Sequence, residues 1–110
     1  DVYTMFRALL ADMQAGTPVP VVARRFHASL ITGLADLAAR FATRLGLTHV
    51  GLSGGCMQNL TLAVELPQAL RDRGLTPLTH RHLPPNDACV SLGQAVYGQR
   101  LLALRQERGC

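Results

Sequence analysis

The sequence has no tryptophan, no lysine and no long apolar run. No stretch approaches the ~18 consecutive apolar residues of a membrane span, and the first ten residues, which include Asp1 and Arg7, show no signal-peptide pattern. Aromatic residues make up 5% of the chain, and its eleven basic residues, all arginines, are scattered, so a stacking platform for nucleic acid is lacking. Neither a membrane nor a nucleic acid is therefore an expected partner.

Cysteine is also scarce. Cys56, Cys89 and Cys110 are an odd number of residues with no regular spacing. Such a set does not form a disulfide framework and fits free thiols in a reducing compartment, so we expect a cytoplasmic protein.

The chain is long enough for one domain at most, with 110 residues of which 48% are hydrophobic. That apolar share argues against disorder. Because the sequence begins at Asp1 and not at a methionine, we expect residues 1–110 to be one partial domain of a longer protein.

Hydrophobic periodicity, glycine and proline predict six elements in an α/β fold of order α-α-β-α-β-α. The first is a helix over residues 3–14. Apolar residues at every third or fourth position from Val22 to Leu45 predict a long second helix, capped at Thr17 or Val19 and ended by Gly46. The remaining patterns predict a buried strand at 48–52, a helix at 58–73, a strand at 75–79, a loop at 80–86 and a helix at 87–108.

The same patterns predict how these elements pack. The long helix carries one apolar stripe that should face the core: Val22, Phe26, Leu30, Leu34, Leu37, Phe41 and Leu45. The last helix is apolar on more than one face, which predicts burial between other elements. Pro77 favours an edge position for the second strand. Two strands cannot shield a sheet, so the sheet should be incomplete in this chain.

A glycine pair marks the first candidate site. Ser53-Gly54-Gly55 follows a strand pattern and opens a helix pattern, where backbone N–H groups and the helix dipole favour an anion. A Walker loop and a Gly-x-Gly-x-x-Gly motif are both absent. The pattern predicts contact with a phosphate, and a plain tight turn is the alternative. Asn59 is predicted either to bond a ribose or phosphate or to bond the local backbone.

An aspartate marks the second candidate site. Asp87 stands at the predicted start of the last helix and is either an N-cap, a role that Asn86 could share, or a hard-oxygen metal ligand. By alternation His80 and His82 lie on one strand face, but no second pair completes a tetrahedral set, so surface positions are predicted for both. His27 is predicted to be a helix-flank histidine.

Together these motifs resemble the HypF family of carbamoyltransferases, which act in nickel–iron hydrogenase maturation. The residues that carry the resemblance lie in order along the chain: Phe26-His27, Leu52-Ser53-Gly54-Gly55-Cys56-Met57-Gln58-Asn59, Pro84-Pro85-Asn86-Asp87 and Ser91-Leu92-Gly93-Gln94-Ala95. The resemblance implies the C-terminal domain of that family, with an actin-like ATPase (ribonuclease H-like) fold of two lobes, of which this chain is a part.

The resemblance also implies an activity. Such an enzyme makes carbamoyl-adenylate from carbamoyl phosphate and ATP and passes the carbamoyl group to the C-terminal cysteine of the acceptor protein HypE. Carried over to this sequence, Ser53, Gly54, Gly55 and Asn59 would bind the nucleotide. Asp87 would hold a divalent metal, zinc or iron, together with two histidines spaced four apart. No two histidines here have that spacing, so those partners are not in this chain.

The sequence departs from the family pattern at two places. Leu60 follows Asn59 where an arginine is common, which removes a possible phosphate contact, and Ala88-Cys89 stand where two glycines are common. Two alternatives stay open: a non-catalytic docking fragment, and a lobe of a TsaD-like tRNA threonylcarbamoyl transferase or of a small-molecule O-carbamoyltransferase. The Gln58-Asn59 ending after the glycines favours the HypF family over these relatives.

Overall fold

A computed structural model describes residues 1–108, and their helices and strands follow the predicted order. They are α1 (Val2–Gln14), α2 (Val19–Leu45), β1 (His49–Leu52), α3 (Leu60–Arg71), β2 (Thr76–Thr79) and α4 (Val90–Arg108). Short 3-10 helices, Gly55–Gln58 and Asp87–Cys89, precede α3 and α4. None of the described helices combines the length and the apolarity needed to cross a membrane. Cys56 and Cys89 are free thiols, as predicted, and Cys110 lies outside the described residues.

Proline and glycine set the ends of α2. Gly46 ends the helix in the left-handed conformation, with φ 66° and ψ 29°, which confirms the predicted stop. The predicted cap at Thr17 or Val19 is wrong, because Pro18, with φ −57°, occupies the N-cap position itself and no side chain caps the helix. Pro20 lies in the first turn, where its missing N–H costs no helical hydrogen bond.

β1 and β2 form a two-stranded parallel sheet, with α3 as the crossover between them. The register pairs His49 with Thr76, Val50 with Pro77, Gly51 with Leu78 and Leu52 with Thr79. Val50 and Leu52 are half-buried against the core, whereas Gly51 and Leu78 are exposed. The prediction of a buried first strand is therefore wrong for the face that contains Gly51. Nothing within residues 1–108 covers that face.

The core forms where α2 packs against α3. Its buried residues are Ile31, Ala35, Ala42, Leu62, Leu66, Leu70 and Leu75. Ala35 is 0% exposed and Leu70 is 1% exposed, so the small side chain on α2 lets the two helices approach closely. The prediction that the apolar stripe of α2 faces the core is wrong for the second half of the helix. The stripe residues there are 41% to 63% exposed: Leu34, Leu37, Phe41 and Leu45. The reason is that α3 packs on the alanine face of α2, beside that stripe.

Ion pairs link the two core helices at the surface. Arg24 Nη1 lies 2.7 Å from both carboxylate oxygens of Glu65. Arg73 donates to Asp36 Oδ1 from Nε at 2.7 Å and from Nη2 at 2.6 Å. Exposed pairs of this kind contribute about 0–1 kcal/mol each, so they help to align α2 with α3 and add little stability.

The predicted burial of α4 is wrong for this chain. Six of its apolar residues are 40% to 67% exposed: Val90, Leu92, Val96, Tyr97, Leu101 and Leu102. Its main contact is with the 3-10 helix that precedes it. The radius of gyration is 19.3 Å, against about 13 Å for a compact domain of this length. The apolar faces exist as predicted, but no element within residues 1–108 covers them.

Candidate functional site

β1 runs into a turn that only glycine adopts readily. Gly54 has φ 99° and ψ 162°, a region of the backbone map that is essentially restricted to glycine. The predicted helix start at residue 58 is wrong, since the 3-10 helix intervenes and α3 begins at Leu60. The reason is Asn59, which is extended and accepts a hydrogen bond from the Leu62 N–H at its Oδ1, 3.3 Å away. Asn59 is therefore the N-cap of α3, one of its two predicted roles.

Two hydrogen bonds bring the glycine turn against the Pro84-Pro85 segment. The Gly54 N–H donates to Pro85 O at 2.6 Å, and the Ser53 hydroxyl donates to the same oxygen at 3.4 Å. Both motifs therefore lie at one edge of the sheet, where β1 and β2 end. The contact also occupies the Gly54 N–H, so this amide is not free for a phosphate.

The next two amides, those of Gly55 and Cys56, make no hydrogen bond within residues 1–108. The first hydrogen bond of the 3-10 helix runs from Met57 N–H to Gly54 O at 3.0 Å, and the N–H groups of Gly55 and Cys56 precede it. Neither of them has an acceptor among the residues described. A Cβ added to Gly55 would meet no atom within 4 Å, so the turn is open on this side. Sequence reasoning missed the Cys56 amide, although its place in a helix's first turn was a usable signal.

His80 belongs to this edge as well. Its Nε2 lies 3.0 Å from Ser53 Oγ, within hydrogen-bond distance, and the tautomer of the ring decides which of the two atoms donates. β2 ends at Thr79, so His80 and His82 lie in the loop predicted over residues 80–86, and the strand face inferred for them from alternation is wrong. His80 is exposed, as predicted, but its contact with Ser53 was missed. The signal was its position directly after a strand that runs parallel to β1.

A second histidine contacts the predicted nucleotide-binding asparagine. The amide nitrogen Nδ2 of Asn59 lies 3.1 Å from Nε2 of His27, and Nδ1 of the same ring lies 2.9 Å from Ala23 O. His27 stands on α2, 32 residues before Asn59, and the sequence predicted only a helix-flank position for it. The contact links α2 directly to the N-terminus of α3.

Asp87 is exposed, and its carboxylate makes no hydrogen bond or ion pair within residues 1–108. The capping role belongs to Asn86, whose Oδ1 accepts from the Ala88 N–H at 3.1 Å. The described part of the chain holds no group of three His, Cys, Asp or Glu side chains that could hold a metal ion. One free carboxylate does not make a metal site, so the described residues alone do not fit a bound ion.

Comparison with known proteins assigns the family. The family described as "Carbamoyltransferase, Kae1-like Domain, second subdomain" matches residues 1–94, which include the glycine turn, Asn59 and Asp87. The chain belongs to this family. The predicted resemblance to a segment of HypF is thereby confirmed, as is the α/β fold class.

Curated relatives agree with this assignment. Carbamoyltransferase HypF of Rhizobium leguminosarum bv. viciae is 41% identical over 112 residues, which cover 96% of this chain and 15% of that protein. Carbamoyltransferase HypF2 of Cupriavidus necator is 41% identical over 86 residues, covering 78% of this chain and 11% of the relative. Carbamoyltransferase HypF of Synechocystis sp. is 39% identical over 74 residues, which cover 67% of this chain and 9% of that protein. The chain thus spans a small part of the relatives it matches. No solved structure matches it.

Proposed function

We propose that this chain is the nucleotide-binding part of a HypF-type carbamoyltransferase that acts in nickel–iron hydrogenase maturation. The whole enzyme makes carbamoyl-adenylate from carbamoyl phosphate and ATP and passes the carbamoyl group to the C-terminal cysteine of a HypE-type acceptor protein. The contact of Gly54 with Pro85 carries the proposal, because it joins two motifs of the family at one edge of the sheet.

The donors at this edge suit a polyphosphate. The free N–H groups of Gly55 and Cys56 stabilise negative charge without a lysine, which the chain lacks. Ser53 and Asn59 add polar side chains on either side of the turn. Gly54 contributes its left-handed backbone, and its own amide fastens the turn to Pro85.

The proposed metal is a divalent ion, zinc or iron, with Asp87 as one ligand. Its carboxylate is exposed and unpaired within residues 1–108, so it is available to an ion. The remaining ligands come from outside the 110 residues. Such an ion, held by Asp87 and ligands from elsewhere in the enzyme, would supply Lewis-acid polarisation of a carbonyl or phosphoryl oxygen.

Two other functions are compatible with part of the structure. A docking module explains the exposed apolar faces of α4 but gives no role to the free amides at the glycine turn. A tRNA-modifying or small-molecule transferase shares the fold, but the three relatives described above are all named HypF. The free thiols Cys56 and Cys89 support the proposal of a cytoplasmic location.

A chimera tests the proposal as a whole. Rhizobium leguminosarum HypF would carry this chain in place of its own 41%-identical segment, and transfer of label from carbamoyl phosphate to the C-terminal cysteine of HypE would be measured. We expect transfer to HypE and none to tRNA, with the unaltered Rhizobium protein as the positive control. A folded chimera that labels tRNA, or labels neither acceptor, would refute the proposal.

A further inference from the structure

Three hydrogen bonds connect α2 to the first turn of α3 through two side chains. Ala23 O lies 2.9 Å from His27 Nδ1, His27 Nε2 lies 3.1 Å from Asn59 Nδ2, and Asn59 Oδ1 lies 3.3 Å from the Leu62 N atom. This series of hydrogen bonds ends on both sides at a backbone group, and a backbone group has a fixed role as donor or acceptor. The roles of the atoms between them follow from these ends.

The carbonyl of Ala23 can only accept, so His27 Nδ1 carries the proton. The amide of Leu62 can only donate, so Asn59 turns its oxygen toward it and its NH₂ group toward His27. The donor Asn59 Nδ2 then needs an acceptor, which His27 Nε2 provides only as the lone pair of the neutral ring. The three bonds are mutually consistent with a neutral, Nδ1-protonated His27.

We infer that His27 is a positioning residue that holds the Asn59 side chain for contact with a nucleotide. The inference rests on the proposed role of Asn59 in nucleotide binding. An asparagine amide has two N–H donors. One is taken by His27, and the other has no acceptor within residues 1–108, in a side chain that is held at both of its polar atoms. This fixed orientation lowers the entropy that Asn59 loses when a ligand binds.

Phe26 supports the same arrangement. Its ring meets the His27 imidazole edge to face, with centroids 5.6 Å apart and planes at 80°. Such contacts restrict ring rotation and add a modest packing energy. The Phe26-His27 pair therefore has a role for each member, since Phe26 holds the imidazole and the imidazole holds Asn59.

Two conservative variants separate this role from a general packing role. In His27→Gln the side-chain oxygen reaches about as far as Nε2 and still accepts from Asn59. In His27→Asn the shorter side chain reaches only the position of Nδ1 and retains a bond to Ala23 O alone. Thermal melting of the ligand-free chain, measured for both variants, shows how much of any effect is a loss of stability.

The first measurement is ATP binding to the 110-residue chain in the presence of Mg²⁺, by calorimetric titration. A net hydrogen bond is worth about 0.5–1.5 kcal/mol, so we expect His27→Asn to weaken ATP binding by about two- to tenfold and His27→Gln to restore it. Equal affinities for His27→Asn and the unaltered chain, with Asn59→Ala lowering affinity, would refute the positioning role while leaving the proposed function intact. No ATP binding by the unaltered chain would refute the proposed nucleotide site and this inference with it.

The second measurement needs no nucleotide. Long-range ¹H–¹⁵N spectra of the imidazole show which ring nitrogen of His27 carries the proton. We expect the Nδ1-protonated form, and side-chain amide protons of Asn59 that exchange with water faster in His27→Asn than in His27→Gln, because only glutamine still accepts from them. A ring protonated at Nε2 could not accept from Asn59 and would overturn the inference, whatever the titration shows.

Discussion

The two glycines of the turn should respond to the same substitution in opposite ways. Gly54 has φ 99° and ψ 162°, whereas Gly55 does not have a positive φ and a Cβ there would meet no atom within 4 Å. We expect Gly54→Ala to disturb the fold of the turn. We expect Gly55→Ala to leave the fold intact and to obstruct only a ligand that approaches the backbone.

The magnitudes follow from these positions. A non-glycine residue in the region of Gly54 costs about 1–3 kcal/mol of folding free energy. At Gly55 an alanine fits the existing backbone and changes stability by less than about 1 kcal/mol, in the stabilising direction. If the added methyl group keeps a phosphate from one amide, a charge-assisted hydrogen bond worth about 1.5–3 kcal/mol is lost, which lowers ATP affinity about ten- to a hundredfold.

Urea unfolding and ATP titration of the 110-residue chain measure the two effects separately. Gly33→Ala is the matched control, because Gly33 lies within α2, its Cβ would also meet no atom within 4 Å, and it is far along the chain from the turn. The reasoning is refuted for the fold if Gly54→Ala is as stable as Gly55→Ala. It is refuted for the site if Gly55→Ala binds ATP as tightly as Gly33→Ala does.

Three further substitutions and one control test the core, the proposed metal ligand and a departure from the family pattern. Leu70→Ala should lower the free energy of unfolding by about 2–5 kcal/mol, and the exposed Leu78→Ala by less than about 0.5 kcal/mol; equal losses in urea unfolding would contradict the assigned core. Asp87→Ala in the Rhizobium chimera should abolish bound metal in elemental analysis, and unchanged metal content would rule out its role as a ligand. Leu60 is exposed beside Asn59, so Leu60→Arg should strengthen ATP binding by about 1.4- to fivefold, as one exposed ion pair of about 0.2–1 kcal/mol allows; an unchanged affinity would contradict a phosphate beside residue 60.

Local chemistry made the elements predictable. Gly46 and the prolines around residue 18 limit α2, and the spacing of its apolar residues is helical, so its existence needed no tertiary information. The same holds for the glycine turn, whose place after a strand pattern predicted the sheet edge. The start of α3 was misplaced by two residues because the 3-10 helix and the extended Asn59 leave no periodic signal.

Packing partners were not predictable in the same way. The spacing of Leu34, Leu37 and Phe41 showed an apolar face on α2, but α3 packs beside it, on the face that contains Ala35. Periodicity weights large side chains, whereas two helices approach most closely where side chains are small. The burial predicted for α4 failed for another reason, since a face can be apolar without any partner among the residues described.

Two contacts of the site were not predicted because their residues are far apart in the sequence: His27 with Asn59, and His80 with Ser53. Each pair is brought together by tertiary structure, across 32 and 27 residues. The parallel order of β1 and β2 was enough to place His80 near Ser53 in retrospect. Nothing in the local pattern indicated that the first half of α2 reaches the N-terminus of α3. The one sequence signal for His27 was that Phe26-His27 is among the motifs that carry the family resemblance.

The two halves of the proposed site therefore depend on the rest of the enzyme to different degrees. One half, the nucleotide side, is the glycine turn with Asn59. Its shape depends on hydrogen bonds that join Gly54 to Pro85, Ser53 to His80 and Asn59 to His27, all within residues 1–108. The metal side has the carboxylate of Asp87, and no group of three His, Cys, Asp or Glu side chains that could hold an ion lies in the same range. We therefore expect nucleotide binding and metal binding to be separable, with the first retained by this chain alone and the second dependent on residues outside it.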